Sequence, residues 1–140
     1  MARTVPARNV RLKRAYERPA AGDGVRILVD RLWPRGLNKR AAAIEEWNKR
    51  IAPSPALRTW FGHDPERWTE FSRRYTSELR AHTEELERLR TLARKGAITL
   101  VYAARDEAHT HALVLKKVLL VRAPKRKPSA GRSTSGGKRP

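Results

Sequence analysis

Three stretches of the chain read as strands from their hydrophobic pattern. Val25 to Val29 and Ile98 to Ala104 are continuous, mostly apolar and β-branched runs, the signature of strands covered on both faces. Val10 to Tyr16 alternates apolar with basic side chains, which predicts a short strand with one wet face near a sheet edge. Between and after them the apolar period changes to that of helices. Asn38 is placed to cap a helix from Lys39 to about Arg50, with Ala43, Ile44, Trp47 and Ile51 at helical spacing, stopped by Ala52-Pro53-Ser54-Pro55. Ser54 caps a short helix from Pro55 to Phe61. Asp64, followed by Pro65, caps another to residue 80, whose stripe is Trp68, Phe71, Tyr75 and Leu79. Thr83 to Lys95 follows, with acidic residues in its first turn, basic ones in its last, and Gly96 beyond. The last helix is expected from His109 to Leu120, with Asp106 as its cap.

Buried strands joined through helices pair in parallel, with helices on the faces. The expectation is a small three-layer α/β domain with a short, mainly parallel sheet flanked by helices. Its body is residues 9–121. Residues 1–8 read as a flexible N-terminus and 122–140 as a disordered tail of Lys, Arg, Ser, Gly and Pro.

Charge and composition narrow the function classes. The net charge is +18, of which +5 lies in residues 1–21 and +7 in 122–140, where no acid occurs. Basic ends of this kind neutralise phosphates, so non-specific nucleic acid is one partner to consider. The chain has no cysteine, which excludes disulfides, thiol catalysis and Cys-containing metal sites and suits the cytoplasm. No secretory leader and no membrane span are expected. Glycine-rich cofactor loops, the P-loop and the serine-hydrolase elbow are missing, so no cofactor is expected.

Chemistry is expected where parallel strands end, because ligands bind outside their carboxyl ends. Two segments leave buried strands there: Asp30-Arg31-Leu32-Trp33-Pro34-Arg35-Gly36 and Arg105-Asp106-Glu107-Ala108-His109. Asp30 is either a strand-end ion-pair carboxylate or an acid/base. Arg31 and Arg35 either pair with nearby acids or grip an anion bidentately. Trp33 is either a plug beneath the turn or a stacking platform. Asp106 caps the last helix and is also within reach of a ligand. His109, in a first helical turn beside acids, is the histidine best placed for acid/base work. His109 and His111 fall on opposite sides of a helix, and with His63 they form no recognisable metal motif, so no metal is expected.

The run Leu28 to Gly36, the segment Ile51-Ala52-Pro53-Ser54 followed by Leu57-Arg58 and Trp60-Phe61-Gly62-His63, and Tyr102 to His109 together resemble the YeaO-like branch of domain-of-unknown-function family 488. The resemblance runs collinearly over residues 9–121. It implies a small bacterial α/β protein and no particular reaction. Its pattern carries to Asp30, Arg31, Trp33, Pro34, Arg35 and Gly36, to Ser54, Arg58, Trp60, Phe61 and His63, and to Asp106 and His109. Thr110 stands where such sequences commonly have Asn.

The site expected from these residues takes a small anion, phosphate or carboxylate. Arg31, Arg35 and Arg58 hold it, with Trp33 beside them. Asp30, Asp106 and His109 orient it or move a proton. The alternative is a nucleic-acid-associated module that uses the basic ends, with Trp33 or Trp60 stacking on a base. A weaker one is a purely structural domain.

Overall fold

A computed structural model describes residues 4–121; the tail from residue 122 lies outside the described residues. Four strands form one parallel sheet: β1 (Val10–Arg14), β2 (Val25–Leu28), β3 (Glu46–Trp47) and β4 (Ile98–Tyr102), in the order β1-β4-β2-β3. Helices α1 (Lys39–Ala42), α2 (Pro55–Phe61), α3 (Trp68–Arg80), α4 (Thr83–Lys95) and α5 (His111–Leu120) connect or follow them. The two continuously apolar runs are the inner strands. Every residue of β4 is buried, and Val25 pairs with Ile98 as Leu28 pairs with Val101. The alternating run is the edge strand β1, in register with β4 from Val10 opposite Ile98 to Arg14 opposite Tyr102.

Strand side chains alternate between the two faces, and here the faces are unequal. Val10, Ile27, Val29, Ile98, Leu100 and Tyr102 meet the large core built from α2 to α5, which includes Phe61, Phe71, Tyr75, Leu79, Leu89 and Leu115. Val5 joins this core, so ordered chain begins ahead of residue 9. On the opposite face Ala15, Leu28 and Val101 are covered by Trp33, Leu37 and Ile44, which bring the strand-end turn and α1 over the sheet as a thinner layer. The rest of that face is polar. Arg26 and Asp23 are ion-paired at 2.7 Å, and both are buried. Lys13 reaches the same carboxylate, and the Thr99 hydroxyl donates to the Asp23 carbonyl.

The helix expected from Lys39 to about Arg50 ends after one turn. Asn38 caps it as expected, accepting from the Ala41 N–H. Ala43 then takes a left-handed conformation (φ 51°), and the chain continues as the edge strand β3. The cause is the open side of β2, whose backbone groups require partners. The Glu45 N–H donates to the Arg26 carbonyl and the Asn48 N–H to the Leu28 carbonyl. Ile44 still packs inward, but onto the thin layer and not along a helical stripe.

The start of the last helix also differs. Thr110, not Asp106, is its cap: Thr110 is extended (φ −107°, ψ 143°) and its hydroxyl accepts from the Ala112 N–H. Asp106 instead closes the preceding turn by accepting from the Ala108 N–H at 3.0 Å. The Ser54 and Asp64 caps and the left-handed Gly62 after α2 stand where their sequence signals lie.

Candidate functional site

Because β2 and β4 are neighbours and parallel, the segments that leave them open at one edge of the sheet. Asp30 is fixed there from three sides. Its Oδ2 accepts from the Ala103 N–H at 3.0 Å, just past β4. Its carbonyl accepts from the Trp47 indole N–H of β3 at 2.7 Å. Its Oδ1 is buried, has no hydrogen bond among the described residues, and lies 3.4 Å from His111 Nε2. His111 is the first residue of α5, and Nε2 donates to the Val29 carbonyl at 3.0 Å.

Burial governs the charge of both groups. It raises the Asp30 carboxyl above its ordinary pKa against the pull of His111, the Ala103 N–H, His63 and Arg58. It lowers the His111 imidazole against the pull of Asp30. Neither partner wins enough from the other to offset its loss of water.

These two groups border a cavity of about 290 Å³, which Arg31, Arg58, His63 and His109 also line, with Phe61 and Phe71 supplying an apolar wall. Arg31 is held by backbone carbonyls, donating to Pro53 at 3.2 Å and to Ala52 at 3.4 Å. Arg58, on α2, is exposed and makes no side-chain hydrogen bond among the described residues. His63 follows Gly62 in the left-handed region (φ 58°). His109 turns Nδ1 to Asp106 Oδ2 at 2.7 Å and sets its ring edge-on to Trp68.

Of the residues expected at the site, Asp30, Arg31, Arg58 and His109 line the cavity, and Asp106 stands behind His109. Trp33 and Arg35 do not line it. Trp33 packs on the other face of the sheet against Trp47 (5.4 Å between ring centres) and donates its indole N–H to the Leu37 carbonyl. The Arg35 carbonyl accepts from the Tyr16 hydroxyl. Trp60 is covered by Arg67 and Arg74, whose guanidinium groups lie 5.3 and 4.4 Å from its ring centre.

Two titratable pocket residues, His111 and His63, lie outside the ligand-binding and proton-moving set expected from the sequence, although His63 belongs to the pattern that the family resemblance carries. A helix beginning at His109 would point His111 away from its neighbour. With Thr110 extended and the helix starting at His111, both rings reach one cavity. The polar cap at Thr110 was the available signal. His63 arrives through the left-handed Gly62-His63 turn, which no periodicity announces.

A short parallel sheet with a pocket of charged groups and an apolar wall at its carboxyl edge places the molecule among small α/β pocket proteins. The chain belongs to the DUF488 family, in its YeaO-like branch: the family model described as the inactive DUF488-N3 subclade matches residues 9–136. The chain is 44% identical over 107 residues to the uncharacterized protein YeaO of Escherichia coli (strain K12), covering 76% of this chain and 93% of that protein. It is also 44% identical over 110 residues to the uncharacterized proteins Rv3073c of Mycobacterium tuberculosis (strain ATCC 25618 / H37Rv) and Mb3100c of Mycobacterium bovis (strain ATCC BAA-935 / AF2122/97), covering 79% of this chain and 92% of each. No solved structure matches at a significant level. No helix among the described residues is long and apolar enough to cross a membrane.

Proposed function

We propose that the carboxyl-edge pocket binds a small anion carrying a phosphate or carboxylate and that it does so without turning it over. The observation that carries the reading is Arg58. Its guanidinium stands beside the cavity with no hydrogen-bond partner among the described residues, and Asp30, half-buried, is the one acidic residue among those lining the cavity. Arg31 adds a second guanidinium, oriented by the Pro53 and Ala52 carbonyls. A planar cation at a fixed angle suits bidentate contact with an oxyanion. The cavity lies at the low end of ligand-pocket sizes (~300–1,000 Å³), which favours a metabolite over a dinucleotide or a strand of nucleic acid. Asp30, His109 and Asp106 then serve as orienting groups. The description of the matching family model as an inactive subclade supports binding without catalysis.

The test is a thermal-shift screen of small phosphates and carboxylates on the full chain. A ligand at 100 times its Kd raises stability by about 2.7 kcal/mol. The shift should vanish in Arg31→Ala plus Arg58→Ala and persist in Arg35→Ala, which lies off the cavity. A shift that survives the double substitution would place the anion elsewhere.

A second reading is favoured by one observation, the seven basic and no acidic residues in 122–140. On it, the basic ends hold nucleic-acid phosphates, and binding weakens steeply with salt. Removing residues 122–140 should then abolish most of the affinity. The tryptophans offered for stacking do not support a base-reading role, since Trp33 faces Trp47 and Trp60 is covered by two arginines.

A further inference from the structure

Leu32 is out of place for an apolar side chain. It is 62% exposed and belongs to neither apolar layer of the sheet. Single exposed apolar residues are ordinary at a protein surface, but this one lines the carboxyl-edge cavity. The other large apolar residues exposed among the described residues do not line it, and each is accounted for. The Tyr16 hydroxyl donates to the Arg35 carbonyl, the Trp47 indole N–H donates to the Asp30 carbonyl with Lys49 over its ring, and Val121 is the last described residue. Leu32 is also held where it is. Arg31 before it donates to the Pro53 and Ala52 carbonyls, and Trp33 after it is fixed on the opposite face by the Leu37 carbonyl and Trp47. The backbone between these two anchored neighbours keeps the leucine out of the core.

Charge and apolar surface reach the cavity in pairs. Arg31 and Leu32 come together from the turn after β2. Arg58 and Phe61, three residues apart on α2, share one face of that helix. Phe71 stacks on Phe61 at 4.3 Å between ring centres and continues the wall. Most polar lining groups are already engaged within the protein. Asp30 Oδ2 accepts from the Ala103 N–H, His109 faces Asp106, His111 faces the Val29 carbonyl, and the Thr110 hydroxyl caps α5. What the cavity leaves unmatched is the Arg58 guanidinium and the apolar side chains of Phe61, Phe71 and Leu32. A ligand with polar groups along its whole length would strand some of them against those side chains, and desolvated polar groups without partners are costly. A single charged head with an apolar body meets both.

Resting on the anion-pocket reading above, we infer that the ligand is a small amphipathic anion, a carboxylate or phosphate monoester on a short aliphatic chain, whose head meets Arg58 and whose chain covers Leu32. The anchored Arg31-Leu32 turn makes the contact without ordering a loop. Each methylene that leaves water adds about threefold to fourfold in affinity, so chain length, and not further polar groups, sets how tightly the ligand binds.

The experiment is calorimetric titration of the full chain with two series: acetate, butanoate and hexanoate, and methyl, butyl and hexyl phosphate. In at least one series the six-carbon member should bind at least about tenfold tighter than the shortest, and the series that shows it identifies the head group. Leu32→Ser should weaken the six-carbon member at least about threefold, one methylene's worth, and the shortest member less than about twofold. Leu32→Met, of similar volume, should keep the gain. A six-carbon member unchanged by Leu32→Ser overturns the inference, and so does a dependence on chain length that survives Arg58→Ala, which places the chain at another surface. Equal affinity along both series, with binding still lost in Arg58→Ala, overturns the apolar body and leaves the anion pocket standing. Equal affinity together with a lowered sedimentation coefficient of ligand-free Leu32→Ser overturns it too and assigns Leu32 to a contact between copies of the chain. No binding by any of the six removes both readings. Should Leu32→Ser fail to fold, the Leu32 methyl resonances of the wild-type protein decide. They must move on titration with the six-carbon member and not with the shortest; unmoved methyls overturn the inference.

Discussion

Asp30 Oδ1 and His111 Nε2 face one another at 3.4 Å in the lining of the pocket, two ionisable groups whose burial opposes the charged form of each. The pH consequence follows from the two directions. His111 is lowered, so its stabilising neutral form is present above the ordinary histidine range of about 6.5, and the contribution is lost as pH falls through the lowered folded value. Asp30 is raised, so its protonated form contributes below the ordinary carboxyl range of about 3.9, and that contribution is lost as pH rises through the raised folded value. In the wild-type protein the carboxylate offsets part of the cost of an imidazolium at 111. Asp30→Asn should therefore steepen the loss of stability between pH 7 and pH 5, measured by urea unfolding, and move the NMR titration of His111 to lower pH. Identical slopes in the two proteins would mean that the residues titrate independently.

On the polar part of the opposite face, Asp23 is the partner of a buried guanidinium. Burial alone would raise its carboxyl, but hydrogen bonds from Lys13, the Ala20 N–H and Arg26 hold it below the ordinary range. Asp23→Ala leaves Arg26 buried without its counter-charge, and breaking such a pair costs about 3–5 kcal/mol. The urea midpoint at pH 7 should fall accordingly. Because the folded value is depressed, the wild-type advantage is present above about pH 3.9 and is lost as pH falls through the lowered value. A cost that is unchanged in strong acid would show that packing, and not charge, carries the effect.

Gly24 enters β2 at φ 64° and ψ −138°, and a Cβ there would sit 2.0 Å from the Ala97 carbonyl oxygen. Both objections concern the backbone, so no side-chain rotation relieves them. Gly24→Ala should destabilise by more than about 3 kcal/mol. Circular dichroism melts of the soluble fraction test this; a Tm within a few degrees of wild type would contradict the close approach of the Gly24 and Ala97 segments.

Thr110 ties the fold to the site, because its cap sets the residue at which α5 begins. Thr110→Ala should cost about 1 kcal/mol and loosen the ring of His111. Thr110→Asn restores a side-chain acceptor and should recover most of that stability. Hydrogen exchange at the Ala112 amide reports the cap directly; equal protection in both variants would assign α5 its start by packing alone.

Much of the molecule is written in local pattern. The two apolar runs are the inner strands because only a segment covered on both faces tolerates so few polar residues. The caps at Asn38, Ser54 and Asp64 hold because a side-chain oxygen beside a helix start satisfies backbone donors wherever the helix lies. That Asp30 and Arg31 open at the same edge as His109 follows from parallel pairing of the strands they leave. What sequence spacing does not contain is the demand made by a distant partner. The edge of β2 drew Glu46–Trp47 out of a helical pattern, because unpaired strand groups outweigh a weak amphipathic stripe. Trp33, five residues past the strand, went to the opposite face because Trp47 and the Leu37 carbonyl receive it there. His111 joined the pocket because one extended residue, Thr110, shifted the start of its helix. Local pattern by itself determined the inner strands, most of the helices and the edge at which the pocket opens; tertiary contacts decided the short edge strand, which side chains face into the pocket and which charge each one carries, because these depend on partners and burial beside residues far away in the chain.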